Sequence, residues 1–173
     1  MLKCVKYSIL ILLISLLCSC TQVDDRFNYV NGQKIIYPEL PLIFLGDTIP
    51  EPVRKDLRFV SMIDGTCWTC LANYSALKEV FDQIQALGFG SSVSSLIYIE
   101  ALDYQEVSAP LALFGFFYPV YIDRYCKIYS QNNLDGKIGS LLIDKDDRVL
   151  WAGSIPRAPS EIKKFFKVVR KYM

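Results

Sequence analysis

Apolar positions along the chain change their spacing several times, and each change marks an element. Ile9–Leu17 is a continuous apolar run behind two lysines, Lys3 and Lys6. From Thr21 to about Pro52 only short apolar pieces, Ile35–Tyr37 and Leu42–Leu45, stand between Asn31-Gly32 and prolines 38, 41, 50 and 52. This predicts a tether with one or two edge strands. A strand is expected over Leu57–Ile63, followed by the turn Asp64-Gly65-Thr66, whose polar side chains can cap a helix. From Cys70, Leu71, Tyr74, Leu77, Phe81, Ile84 and Leu87 recur at three- and four-residue steps and end at Gly88, one buried stripe on a helix. Ser92–Glu100 reads as a strand, Tyr104–Leu113 as a helix, Phe116–Ile122 as a third strand with Pro119 inside it, and Arg124–Asn132 as a short helix or turn. Ile138–Ile143 and Arg148–Trp151 form a hairpin around Asp144-Lys145-Asp146-Asp147. The last helix follows Pro159 with Ser160 as cap, and its apolar face is Ile162, Phe165, Phe166, Val169 and Tyr172.

The alternating opening of that order demands parallel crossovers, and the terminal hairpin adds an antiparallel edge. The expected architecture is α/β, a mixed central sheet with helices on both faces.

Composition narrows the chemistry. The chain has 173 residues, 52% of them apolar, with 19 basic against 18 acidic side chains, so it can fold but has no cationic surplus for nucleic acid. The absence of histidine removes Ser-His-Asp and Cys-His sites, haem ligation by histidine and any imidazole-dependent zinc arrangement. No cofactor is expected, and six cysteines remain as the reactive groups to place.

The charged-then-apolar beginning is that of a secretory signal peptide, and its run is too short to span a bilayer. Leu17-Cys18-Ser19-Cys20 resembles the lipobox of bacterial lipoproteins, which implies cleavage after residue 19, a signal over 1–19 and lipidation of Cys20. The expected organisation is then a tether over 20–54 and a folded domain over 55–173, hung from a membrane in an envelope compartment. Removal of Lys3 and Lys6 leaves 17 basic against 18 acidic groups. Three thiols are left, Cys67, Cys70 and Cys126.

Cys67-Trp68-Thr69-Cys70 falls where a strand ends and a helix is expected to begin. Over the unpaired amides of a helix N-terminus the first thiol is lowered from its usual value of about 8.5, while the second lies one turn on and more shielded. Cys67 would attack a disulfide, and Cys70 would resolve the mixed disulfide.

With the preceding strand Phe59–Ile63 and the later Pro119-Val120-Tyr121-Ile122-Asp123 and Leu141-Leu142-Ile143-Asp144-Lys145-Asp146, this motif resembles the thioredoxin fold over about residues 55–173. Within it, the closest likeness is to lipid-anchored disulfide reductases of the bacterial envelope, of the sort common in Bacteroidetes. The resemblance implies an extracytoplasmic thiol–disulfide oxidoreductase with Cys67 and Cys70 as catalytic pair. Its partners would be exported client proteins and an upstream electron donor, and Trp68-Thr69 alone does not set the direction of transfer. Where the family has a buried acid six positions before the first cysteine this chain has Ser61, so a carboxylate such as Glu100 or Asp64 would have to substitute. The family's cis-proline position falls at Ile138-Gly139-Ser140, expected to be trans. Thr66 stands before the first cysteine, where thioredoxins often have tryptophan.

Other readings compete. The pair could be a static disulfide in a non-enzymatic binding or assembly lipoprotein, or could join Cys126 and a carboxylate around zinc. A four-residue loop makes a poor staple, and structural zinc sites usually need a second pair or histidine, so redox exchange is favoured. Cys126, beside Tyr125, reads first as a buried small hydrophobe.

Overall fold

The computed structural model describes residues 25–43, 55–67 and 72–173, so the expectations for 1–24, including Cys20, and for Cys70 lie outside the described residues. Six strands make one sheet: β1 (Leu42–Ile43), β2 (Leu57–Asp64), β3 (Val93–Glu100), β4 (Val120–Ile122), β5 (Ser140–Asp144) and β6 (Val149–Gly153). Their spatial order is β1-β4-β3-β2-β5-β6. β2, β3 and β4 run parallel, while β1, β5 and β6 are antiparallel to their neighbours. The mixed α/β architecture is therefore as the pattern predicts.

Helices α1 (Ala72–Ala86) and α2 (Tyr104–Leu113) are the crossovers β2-to-β3 and β3-to-β4. Both steps move across the sheet in the same direction, so right-handed connections put both helices on one face. There Leu77, Phe81, Val107 and Leu111 share a core with Phe165 and Phe166 of α4 (Pro159–Tyr172). Phe59 of β2 meets Phe165 at 4.7 Å between ring centres. The opposite face is covered by α3 (Lys127–Asn132), through Ile128, and by Phe27 and Val30 of the 3₁₀ turn Asp25–Val30. With both faces covered, β2 is buried at every residue up to its last, Asp64, which is exposed. This accounts for its continuous apolar run.

Part of the segment read as a tether lies against this sheet. Phe27, Val30 and Ile35 are buried, and Gly32 and Ile35 donate their N–H groups to Val149 and Asp147 of the β5–β6 hairpin. The Ile35–Tyr37 piece makes no strand; only the neighbouring Lys34 forms a bridge, to Arg148. β4 is shorter than the run Phe116–Ile122. Gly115 turns the chain at φ +59°, Pro119 has no N–H to give a ladder, and pairing starts at the next residue. The last helix is capped not by Ser160 but by Glu161, whose carboxylate accepts the N–H groups of Arg157 and Ala158 at 2.9 and 3.1 Å. Those bonds hold the Glu161 carboxyl below its ordinary value. Tyr172 lies partly outside that helix's buried stripe.

Candidate active site

The parallel strands β2, β3 and β4 deliver their carboxyl ends to one edge of the sheet, and the chemistry-bearing residues follow from there. Asp64 and Glu100 close β2 and β3 as register partners. The chain then leaves β2 by lying down across β3. Gly65 N–H donates to Glu100 O at 2.8 Å, and a Cβ at Gly65 would stand 2.7 Å from that oxygen and 2.7 Å from Ile99. Only glycine permits this approach.

The Asp64 carboxylate folds the next residues into a tight turn. Its Oδ1 accepts from Thr66 N at 2.9 Å, from the Thr66 hydroxyl at 2.7 Å and from Cys67 N at 3.1 Å. Cys67 is thus presented half-buried, directly after the strand end. Residues 68–71 separate it from the first described turn of α1, so the expected seat over a helix N-terminus lies outside the described residues. The two N–H groups at 66 and 67 serve Asp64.

Cys126 departs from the buried hydrophobe expected of it. It is half-buried, sits in the left-handed region at φ +49° ahead of α3, and hydrogen-bonds Glu100. Burial, that bond, and the negative charges of Glu100, Asp123 and Asp64 push its thiol up to about 12. Asp123 is 1% exposed and accepts from Lys127 N and Ile128 N at 2.8 and 2.9 Å, which starts α3. The sequence pattern offers no sign of the Cys126–Glu100 contact, because the two residues come from different crossovers.

Asp64, Glu100 and Cys126 line one cleft of about 640 Å³, together with Asn73, Lys137 and Arg157. Arg157 hydrogen-bonds the Asn73 side chain, which ties the loop before α4 to the start of α1. On the loop before β5, Gly139 approaches Ile155 so closely that a Cβ would lie 3.0 Å from its nitrogen. The described peptide bonds are all trans, Ile138-Gly139-Ser140 included. Tyr129 donates its hydroxyl to Ile138 O at 2.8 Å and holds this loop down.

Ser61, at the position where the family resemblance leads one to expect an acid, is fully buried. It faces Ser140 across the β2–β5 ladder, and neither hydroxyl has a hydrogen-bond partner among the described residues. It has no carboxyl to ionise, so the carboxylates near Cys67 are those at the sheet edge. Of the two candidates named from sequence, Asp64 contacts the Cys67 backbone and Glu100 contacts Cys126 instead. Among the described residues no cluster of three or more His, Cys, Asp or Glu side chains is arranged to hold a metal. A second cleft, about 510 Å³, runs along β3 where β4 does not reach; among the described residues its lining holds Tyr37, Tyr98, Lys55 and Arg58 but no thiol.

No family model matches the chain, and no curated protein matches it. Solved structures do. A proposed thiol:disulfide interchange protein DsbE from Chlorobium tepidum superposes with TM-score 0.57 at 13% identity, covering 82% of this chain and 96% of that one. StoA from Bacillus subtilis gives 0.54 at 12% identity, over 76% and 98%. A thioredoxin-like protein from Aeropyrum pernix gives 0.51 at 15%, over 69% and 79%. At such identities the likeness speaks for the fold, and the fold of this chain is thioredoxin-like.

Proposed function

We propose that the protein is a thiol–disulfide oxidoreductase of the bacterial cell envelope that exchanges disulfides with exported proteins through Cys67 and Cys70. The observation that carries this reading is the position of Cys67, half-buried on a tight turn at the carboxyl end of a central parallel strand, next to a polar cleft. Ligands and reactive groups of open α/β sheets gather at that edge. In the proposed reaction the Cys67 thiolate attacks one sulfur of a client disulfide. The client's S–S bond breaks, and its other sulfur leaves with the electron pair and takes up a proton. Cys70 then attacks the Cys67 sulfur, frees the client's second sulfur and closes the Cys67–Cys70 disulfide. Two electrons pass to the client, and an upstream donor restores the dithiol.

The apolar run behind Lys3 and Lys6 and the following Cys20 support export and lipid anchoring, with a signal over 1–19 and the redox domain carried on a tether. Among the described residues no helix is long and apolar enough to cross a membrane. The second reading is a non-enzymatic lipoprotein with a static disulfide, and the serine at 61 and glycine at 139 favour it. Insulin reduction by dithiothreitol separates the two. The full chain in detergent should accelerate precipitation and Cys67→Ser should not; equal rates would remove the enzymatic reading.

A further inference from the structure

Two exposed faces with cationic side chains lie on opposite sides of the sheet. On one side α4 carries Lys163, Lys164, Lys167, Arg170 and Lys171 outward. On the other side the covering layer includes the turn Asp25–Val30 and the chain that follows it. Tyr29 and Ile36 are each 60% exposed there, large side chains left outside the core. Lys34 and Arg148 are bridge partners, both exposed, so their side chains leave the same face of the pair. Ile36 stands two residues after Lys34 with the buried Ile35 between them, which turns it outward on the same side. The Tyr29 hydroxyl accepts the Asp135 N–H at 3.3 Å and joins the turn to the end of α3 in one surface.

Charge alone would turn α4 toward an anionic membrane. Chain length forbids it. Cys20, read above as the lipidated residue, stands five residues before Asp25, where the packed chain begins, and five residues span at most about 18 Å. The packed end is fixed: Phe27 and Val30 are buried, and the N–H groups of Gly32 and Ile35 are bonded to the β5–β6 hairpin at 2.7 and 2.8 Å. From that layer through the sheet to the outer surface of α4 is about 25 Å, with layers packed 8–10 Å apart and a helix about 5 Å in radius. Lipid on Cys20 therefore cannot sit in a bilayer on which α4 rests.

We propose that the short link between lipid and fold lays the face of Tyr29, Lys34, Ile36 and Arg148 on the phospholipid headgroups and turns the basic face of α4 away from the membrane. This rests on the lipid-anchor reading of Cys20 above. A tyrosine ring with its polar tip suits the headgroup layer, and the two cations suit anionic lipid.

The test is lysine acetylation of the full lipidated chain in phosphatidylethanolamine–phosphatidylglycerol vesicles, read residue by residue by mass spectrometry. Inserting about twelve Gly/Ser residues between Asp24 and Asp25 gives the fold room to leave the surface. Lys34 should then react several-fold faster, while Lys163 and Lys167 on α4 react equally in both chains. No change at Lys34, or a rise at Lys163 and Lys167 in its place, overturns the orientation. A phosphatidylethanolamine with a photoactivatable headgroup needs no variant: it should label residues 29–36 and not 163–171, and the reverse labelling overturns the orientation as well. Failure of the unaltered chain to float with the vesicles would instead remove the lipid-anchor reading.

Discussion

Two turns of this molecule have the same spelling and different fates. Asp64-Gly65-Thr66-Cys67 follows β2, and Asp123-Arg124-Tyr125-Cys126 follows β4, so each places aspartate, two residues and cysteine at the carboxyl end of a parallel strand. In the first, the aspartate is exposed and closes on its own turn, taking the N–H groups two and three residues on. In the second, the aspartate is buried and reaches four and five residues on, into the first turn of a helix. The buried carboxylate acts as a helix cap, with charge-assisted bonds to two amides. The exposed one closes its own turn at the rim of the cleft, where water can reach it. An aspartate three residues before a cysteine stands in both turns, and depth in the fold decides whether it starts a helix or closes only its own turn.

The comparison can be broken in three ways. The largest expected effect is on thiol reactivity. With its thiol pushed up to about 12, Cys126 should alkylate at pH 8 on the order of a hundredfold more slowly than a free peptide thiol, the loss of thiolate being partly offset by the greater nucleophilicity of each one that forms, read site by site by mass spectrometry. Labelling of Cys126 at the rate of a free thiol would show that the two turns are chemically alike.

Next comes stability. Asp123→Ala leaves two amides without their acceptor at a buried site and should cost about 2–3 kcal/mol, a fall of roughly 5–10 °C in the thermal midpoint. Asp64→Ala should cost under about 1 kcal/mol, because water can replace the carboxylate there. Equal losses would contradict the division of roles.

The third effect is on the alkaline limb. Cys126 is raised in the folded state, so its contribution to stability is complete below the unfolded thiol value, near 8.5–9, and is lost as pH rises from there through about 12. Chemical denaturation of Cys126→Ser should therefore show a shallower decline above pH 9 than the unaltered chain; superimposable profiles would mean that Glu100 and burial do not act on this thiol.

Much of the sheet was legible because its signals are local or periodic. Leu57–Ile63 and Ser92–Glu100 fall within one residue of β2 and β3, and the stripe Tyr74–Leu77–Phe81–Ile84 lies on α1. The misreadings have two sources, backbone chemistry inside the run and contacts from far along the chain. Pro119 and Gly115 shorten β4, Glu161 replaces Ser160 at the start of α4, and Phe27, Val30 and Ile35 are drawn onto the sheet by contacts with a hairpin more than a hundred residues away. Of the candidate site, Cys67 could be named from its spacing and from the strand before it. Asp64 and Glu100 could only be named as possible stand-ins for an acid. Cys126 was misjudged, since a lone cysteine after a strand has no pattern that tells burial from a hydrogen bond to Glu100.

The sequence by itself determined the alternation of strands and helices, the right-handed crossovers and the cysteine that follows β2. These depend on side-chain period, turn chemistry and backbone handedness, which act within a few tens of residues. Only the tertiary structure decided that Glu100 stands beside Asp64, that Cys126 joins them in one cleft and that Asp123 is buried while Asp64 is not. Charge and burial at a site are sums over neighbours brought from every part of the chain, and those sums exist only once it has folded.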